Sequence, residues 1–442
     1  MTEAIDTVES QPGSPARGAT GPGESLPRRR AGRMTRGAAA TQRKAMDFDP
    51  EKRVGSGVSA LWIGYLVFLP FCLYSSGLPQ PGDILLGLAV LLNLAKGQLK
   101  FNRVQTSVLM MLALFVTYVF IVNTVWAIHL GNFGVSTKAS PVFTSAFYIF
   151  NAMVFLTAMV IADRAREEFL ALTFKGIVVS VLSQVLLLPI SLGLSSRQAL
   201  FFNNPNQLGY YALVGAVLIF VISQIIRTNA LMRLAGLVAC LILAALSLSK
   251  AAMMGIAILM FFGVMQRPMV MLPPAILLGL LVYITPFGQE RLDLLEARLE
   301  TVGESSDDSL DERGYDRIIN QPEYWPLGAG EGAYFRFDSV LSTGEIHSTW
   351  ASTFFSYGFV GTSLFLAFLY MVFRGKPRFI LLSFVPIVFY GITHNGSRES
   401  LLWIYFAIIA SLPTAQTRTR QGALQQGRAI GRRDAGGSGA VG

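Results

Sequence analysis

Residues 207–226 read QLGYYALVGAVLIFVISQII, a run of twenty residues without a charge. A helix rises about 1.5 Å per residue, so such a run covers the roughly 30 Å hydrocarbon layer of a bilayer. A helix on the surface of a soluble protein would carry a polar face, and this one has none. Eleven other segments of similar character flank it: 58–76, 83–95, 104–126, 140–162, 169–192, 231–248, 251–266, 269–286, 349–373, 379–393 and 400–412. The segments 83–95, 379–393 and 400–412 are short for a span, which needs about 17–25 residues. Only Ser249–Lys250 separates 231–248 from 251–266, which predicts a tight hairpin.

Composition agrees with this pattern. Of the 442 residues, 52% are hydrophobic and 14% charged, where a soluble domain carries about 25% charge. The expected fold class is an all-α polytopic integral membrane protein of about twelve transmembrane helices. Its expected organisation is a basic, disordered cytoplasmic tail over 1–56, a membrane domain over 57–413 and a second basic tail over 414–442. Residues 1–56 are polar and show no secretory signal. Cys72 and Cys240 both lie in apolar runs and read as buried thiols.

Charge gives the expected orientation. With the N-terminus cytoplasmic, the cytoplasmic connections carry Lys96, Lys100 and Arg103; Arg164 and Arg166; Arg227 and Arg233; Arg267; and Arg374, Lys376 and Arg378. Every one is basic, as the positive-inside rule requires. The formal net charge of +9 therefore sits on tails and cytoplasmic connections. It calls for membrane lipid as a partner and not for nucleic acid.

The opposite face receives the one long connection, 287–347, with 14 acidic and 5 basic residues. QERLDLLEARLE (289–300) spaces Leu292, Leu295 and Leu299 along one helical face and predicts a helix along the membrane surface or on the spans. GESSDDSLDE (303–312) reads as a solvated turn region, with Asp307–Asp308 no convincing metal site. RGYDRIIN (313–320) predicts a short helix, and PLGAGEGAYFRF (326–337) is too rich in glycine for a regular one. The spans carry no clear mid-membrane Asp, Glu, His or Arg, whereas ion-coupled transporters place such groups near the midplane.

Four segments then stand out in order: FFNNPNQLGYYAL (201–213), LSLSKAAMMGIA (246–257), ERGYDRIINQPEYWPLGAGEGAYF (312–335) and EIHSTWASTFFSYGFVG (345–361). Together they resemble the signature segments of the O-antigen ligase and polymerase superfamily of bacterial envelope glycosyltransferases. The resemblance runs from about 200 to 373. It implies a GT-C-like membrane enzyme that needs neither metal nor other cofactor and inverts the anomeric centre. Its implied site is Asn203–Asn204–Pro205–Asn206, Ser249–Lys250, Arg313 before Pro326–Leu327–Gly328–Ala329–Gly330, and His347–Ser348. Lys250 stands where the family usually has Arg, and Ser348 where it usually has Asn. The second departure leans the reading towards a polymerase or an exopolysaccharide role.

The resemblance implies a donor glycan on undecaprenyl diphosphate and a hydroxyl acceptor, itself a glycan or lipid-linked, at the outer face of the cytoplasmic (inner) membrane. Envelope-assembly proteins are further expected partners. Such a transfer needs cations for the leaving diphosphate and a base for the acceptor hydroxyl. His347 is the expected base, since imidazole titrates near neutrality. Lys250, Arg313 and Arg317 are the expected diphosphate ligands, the two arginines being spaced to share a helix face. Asn206 and Arg398 are expected to contact substrate. Bland alternatives exist for each: an interfacial histidine, a water-facing turn charge, surface arginines paired with Asp311, Glu312 or Asp316, a helix cap among the asparagines. Glu345 reads as a solvated loop residue, and His394 as a helix boundary. Polymerase and ligase remain unseparated, and a protein O-oligosaccharyltransferase shares the same chemistry. The competing functions are a transporter or flippase of envelope polysaccharide precursors and a scaffold subunit of an envelope complex.

Overall fold

The computed structural model describes residues 53–74, 80–95, 101–132, 140–191, 197–300, 313–337 and 344–413. Residues 1–52 of the first expected tail, the whole of the second, the acidic turn 303–312 and Lys96 and Lys100 lie outside these residues. Every expected apolar segment holds a helix, although that of 58–76 ends at Phe68: α1 Ser56–Phe68, α2 Pro81–Ala95, α3 Arg103–His129, α4 Pro141–Arg164, α5 Arg166–Leu186, α6 Pro205–Ile225, α7 Ala230–Ser247, α8 Lys250–Gln266 and α9 Pro268–Ile284. After α10 Pro286–Glu300 and the short α11 Asp316–Asn320 come α12 Thr349–Phe373, α13 Arg378–Thr393 and α14 Ser400–Ser411. The described residues contain no strand.

Six helices, α3–α7 and α12, are long and apolar enough to cross a membrane, and the bent pair α9–α10 would make a seventh. The other apolar helices, α1, α2, α8, α13 and α14, are shorter, at 10–17 residues, so length and composition alone support fewer than the twelve spans expected. The helix expected over 289–300 is present, bent by 94° from α9, with Leu292 exposed. At the centre, α6 is buried from Leu208 to Ile222 and α14 from Leu401 to Ser411. Helix α6 packs on α5, α7, α8, α13 and α14, and α12 packs on α3. Large apolar side chains such as Met265, Met269 and Tyr283 are exposed on the outside, as a lipid-facing surface requires.

Polar contacts tie the helix ends into two groups. At the basic end, Arg164 donates to the Asn93 side chain at 3.3 Å and to its carbonyl at 3.2 Å, joining the ends of α4 and α2. The Val54 amide donates to Glu168 at 2.6 Å, and Lys376 donates to the Ala410 carbonyl at 3.5 Å. The other end gathers the starts of α6, α8, α12 and α14 and the end of α13. The hairpin expected there turns on Leu248, in the left-handed region at φ 47°, and Ser249, so Lys250 is the first residue of α8.

The described part of the long loop closes this end by an unusual junction with α12. Gly358 has φ 61° and ψ −166° and breaks α12 from within. A break leaves amides and carbonyls of the helix without partners, which is costly away from water. Residues of the PLGAG turn take them up. Ala329 N–H donates to the Phe355 carbonyl at 2.9 Å and Gly330 N–H to the Ser356 carbonyl at 2.8 Å. In return Phe359 N–H donates to the Trp325 carbonyl at 2.7 Å. Trp126 and Tyr118 of α3 hold the turn from the side, donating to the carbonyls of Gly328 at 3.0 Å and Leu327 at 2.9 Å.

This junction admits no side chain at its two central glycines. A Cβ on Gly328 (φ +93°) would lie 2.3 Å from the Ser356 carbonyl oxygen, and one on Gly358 would lie 2.6 Å from that of Trp325. Gly328→Ala and Gly358→Ala should each lower thermal stability in detergent by at least about 1–3 kcal/mol, the usual cost of such backbone strain. Gly279→Ala, with open space around it, should match wild type. Equal midpoints for all three variants would show that the loop is not built into α12.

Candidate functional site

Around the junction, Ala329, Phe337 and Ile346 of the loop and Ala351 and Phe355 of α12 form a small apolar core, flanked by Tyr315, Ile318, Tyr324 and Tyr334. Arg317 lies inside it at 1% exposure. Its guanidinium sits 5.5 Å from the Phe337 ring and 5.9 Å from the Tyr334 ring and donates to the Gly344 carbonyl at 2.7 Å. Burial lowers its pKa. Arg313 precedes α11 and is not on it, so the expected shared helix face does not form. Its guanidinium instead reaches the Thr393 carbonyl at the end of α13. Arg317 thus holds the loop together from within.

Glu331, at 0% exposure, follows the glycine turn. Its backbone N–H donates to Asn123 Oδ1 at 2.8 Å, Tyr357 Oη donates to its carboxylate at 2.7 Å, and Arg398 Nε donates to it at 3.1 Å. Through Nη1 the same guanidinium pairs with Glu345 at 2.7 Å, and Asn151 Nδ2 binds the Arg398 carbonyl at 2.9 Å. Burial works against the charge of Arg398, but the neighbouring groups, led by Glu331 and then Glu345, together hold its pKa well above the ordinary value. Arg398, expected at the substrate, therefore joins two parts of the loop to the start of α14. Glu345, expected as a solvated residue, is part of this clamp two positions before His347.

His347 is exposed, and its backbone N–H donates to the Arg313 carbonyl at 3.0 Å. These two expected residues are therefore neighbours. Ser348 is fully buried and caps α12: its hydroxyl accepts from the Ala351 amide at 3.2 Å and donates to the Gly391 carbonyl at 3.0 Å. Asparagine and serine are comparable N-caps. Ser348 thus keeps the capping function that an asparagine there would supply.

On the neighbouring helix ends, Asn204 caps α6 by accepting from the Gln207 amide at 2.9 Å. Asn206, in the first turn, accepts from Arg197 at 2.7 Å through its side chain and from Tyr390 Oη at 3.0 Å through its carbonyl. The Tyr390 ring stacks on His394 at 4.9 Å between centroids. Thr393 Oγ1 lies 3.0 Å from His394 Nδ1, and the His394 carbonyl accepts from the amide and hydroxyl of Thr349, both at 3.2 Å. Asn206, Arg313 and His347 are thereby tied to one another through α13. Helix α8 packs along α13 and α6, which sets Lys250 at the same end.

The cationic character of the site is felt by His394. Burial, and then the charges of Arg313, His347 and Arg197, push its pKa from 6.5 down to about 3. Burial also raises Glu399, at the start of α14, to about 7, against the pull of Arg398. Sequence reasoning passed over Arg197, Glu331 and the clamp role of Arg398. Arg197 and Arg398 carried a readable signal: both are cations on the face that the positive-inside pattern leaves poor in them.

Residues 235–366 match the family model described as O-Antigen ligase. That segment is similar to the O-antigen ligase family. It contains Lys250, Arg313, Arg317 and His347, and bears out the resemblance read from the sequence. Arg197, Asn206, His394 and Arg398 lie outside the matched segment and are brought to it by the fold. No curated protein matches the chain.

Removing one partner of a buried ion pair costs about 3–5 kcal/mol. Arg398→Ala should approach that loss in thermal unfolding, because it strands Glu331, whereas Glu345→Gln, at the half-exposed arm, should cost under about 1 kcal/mol. Equal losses would place the weight of the clamp elsewhere. For pH, His394 binds fewer protons folded than unfolded, so its contribution to stability is complete above about 6.5 and is lost as pH falls towards about 3. Glu399, with a raised pKa, acts in the opposite sense. The His394 effect should therefore emerge as a steeper acid loss in wild type than in His394→Gln; parallel curves would contradict it.

Proposed function

We propose that the protein transfers glycan units from an undecaprenyl-diphosphate-linked donor to a hydroxyl acceptor at the outer face of the bacterial cytoplasmic membrane. It acts there as an O-antigen or exopolysaccharide polymerase or ligase. In this reading the polypeptide spans the membrane about twelve times with both tails cytoplasmic. The observation that carries the proposal is the adjacency of His347 and Arg313 within the segment similar to the O-antigen ligase family, at the end of the bundle opposite its basic connections.

The chemistry follows from the charges. The acceptor oxygen attacks the anomeric carbon as the bond from that carbon to the donor phosphate breaks, and the electron pair of that bond leaves with the lipid diphosphate. His347, exposed at the mouth of α12, accepts the acceptor proton. Arg313 and Lys250 stabilise the charge growing on the leaving phosphate, an effect strongest where water is scarce. Attack opposite to the leaving group inverts the anomeric centre. Arg317 and Arg398 keep the loop in place from inside the protein.

Reconstitution with a defined polyprenyl diphosphate glycan tests this. Wild type should transfer glycan and release lipid diphosphate. His347→Ala should lose about 10²–10⁴-fold in rate, the usual worth of a general base, and Arg313→Ala a comparable factor, both at normal protein level. Wild-type rates in both variants would remove these residues from the reaction.

A further inference from the structure

Two of the chain's three histidines meet at this end of the bundle, and the transfer chemistry described above uses only one. A closed circuit of hydrogen bonds holds them together. His347 N–H donates to the Arg313 carbonyl at 3.0 Å, and the Arg313 guanidinium donates to the Thr393 carbonyl. Thr349 returns to the His394 carbonyl from its amide and its hydroxyl, each at 3.2 Å. The turn beyond His394 is pinned as well. Gly396 N–H donates to Thr349 Oγ1 at 2.9 Å, and a Cβ on Gly396 would lie 2.5 Å from the Tyr210 ring. The His394 ring itself stacks on Tyr390. A helix boundary alone does not require an imidazole held in this way.

The hydrogen bonds of the ring decide which nitrogen carries its proton. Thr393 Oγ1 lies 3.0 Å from His394 Nδ1 and 3.4 Å from the Tyr390 carbonyl. A carbonyl can only accept, so the hydroxyl proton goes to Tyr390, a common bond for a threonine within a helix. Oγ1 then accepts from Nδ1–H, which leaves Nε2 with a bare lone pair. Nε2 has no hydrogen-bond partner among the described residues and is not enclosed by them. Burial and the positive groups around it, Arg313, His347 and Arg197, act against a charge on the ring. His394 is therefore a hydrogen-bond acceptor in a neighbourhood of donors.

The attacking hydroxyl of the acceptor has one proton, and His347 takes it. A second imidazole beside the first cannot share that proton and, held uncharged, is too weak a base to compete for it. It can bind another hydroxyl of the same sugar, and the nearest is on the adjacent carbon. We propose that His394 determines acceptor specificity, accepting through Nε2 a hydrogen bond from the hydroxyl adjacent to the one that attacks. The acceptor is then a sugar with two neighbouring free hydroxyls. A site built to bond a hydroxyl rejects the analogue that lacks it, because its own polar group is left unpaired. The inference rests on the glycosyl-transfer reading of this site, with His347 as the base.

Nitrogen-15 NMR of the full-length protein labelled at histidine tests the ring without requiring turnover. With His394→Gln to assign the signal, His394 should carry a proton on Nδ1 and none on Nε2 between about pH 5 and 8. A proton on Nε2 in that range would overturn the proposal whatever the activity. In transfer assays with monodeoxy analogues of the acceptor glycan, wild type should prefer the parent to one analogue by about tenfold or more in kcat/KM, the scale of one hydrogen bond. His394→Phe, which keeps a ring against Tyr390 and lacks the nitrogens, should lower that preference towards one by raising the KM of the parent acceptor, with the donor KM unchanged. His394→Gln, whose amide oxygen can accept, should keep part of it, and decides by that partial loss should His394→Phe fail to fold. An unchanged preference in the folded variants, or a wild type indifferent to every monodeoxy analogue, would overturn the proposal and leave the glycosyl-transfer reading intact. A wild type that transfers no glycan, with the ring protonated as expected, would overturn that reading and the acceptor assignment with it.

Discussion

A broken helix mended by a loop is the constraint on which the site depends. Where α12 loses its regular hydrogen bonds at Gly358, the turn at 328–330 supplies amides to the carbonyls of Phe355 and Ser356, and the Trp325 carbonyl receives the Phe359 amide. Backbone polar groups at this depth cannot turn to lipid, so each half of the junction requires the other. The chain between them, which carries His347, is thereby fixed at both ends, and Arg313 lies ahead of the turn. The Glu331–Arg398–Glu345 clamp extends the same fixation from α12 to α14.

A chain of such ties explains how residues far apart in sequence come to act together. Tyr390 joins Asn206 to His394, Thr349 joins His394 to α12, and Arg313 joins the loop to Thr393. Each tie is a side chain meeting a backbone carbonyl or a cap at a helix end, where such groups need partners in any case. Helix ends therefore supply the scaffold of the proposed site. Buried Arg317 and clamped Arg398 stiffen the loop, leaving His347 exposed to solvent.

The helices were legible because apolar length is written directly in the sequence: all twelve apolar runs hold helices, and the cap at α6 was expected among its asparagines. The break at Gly358 was not, since FFSYGFVG continues the apolar pattern without interruption and glycine is tolerated within spans. The equivalence of Arg313 and Arg317 was misjudged because spacing alone does not say where a helix begins; α11 starts only at Asp316. Lys250, Arg313 and His347 could be singled out through the resemblance. The pairing of Glu331 with Arg398 could not, because nothing local in GAGEGAY or HNGSRES indicates a partner 67 positions away. Ser348 is the converse case, a departure from a family pattern that keeps the helix cap.

The central claim is spatial: a lipid diphosphate sits at the end of the bundle where α6, α8, α12 and α13 meet. An electron cryo-microscopy map of the protein in a lipid nanodisc with undecaprenyl diphosphate tests it most directly. The account predicts density for the two phosphates between Lys250 and Arg313, within reach of His347, and on the face opposite Arg164 and Lys376. Phosphate density at the basic end, beside Arg164 and Lys376, would contradict it.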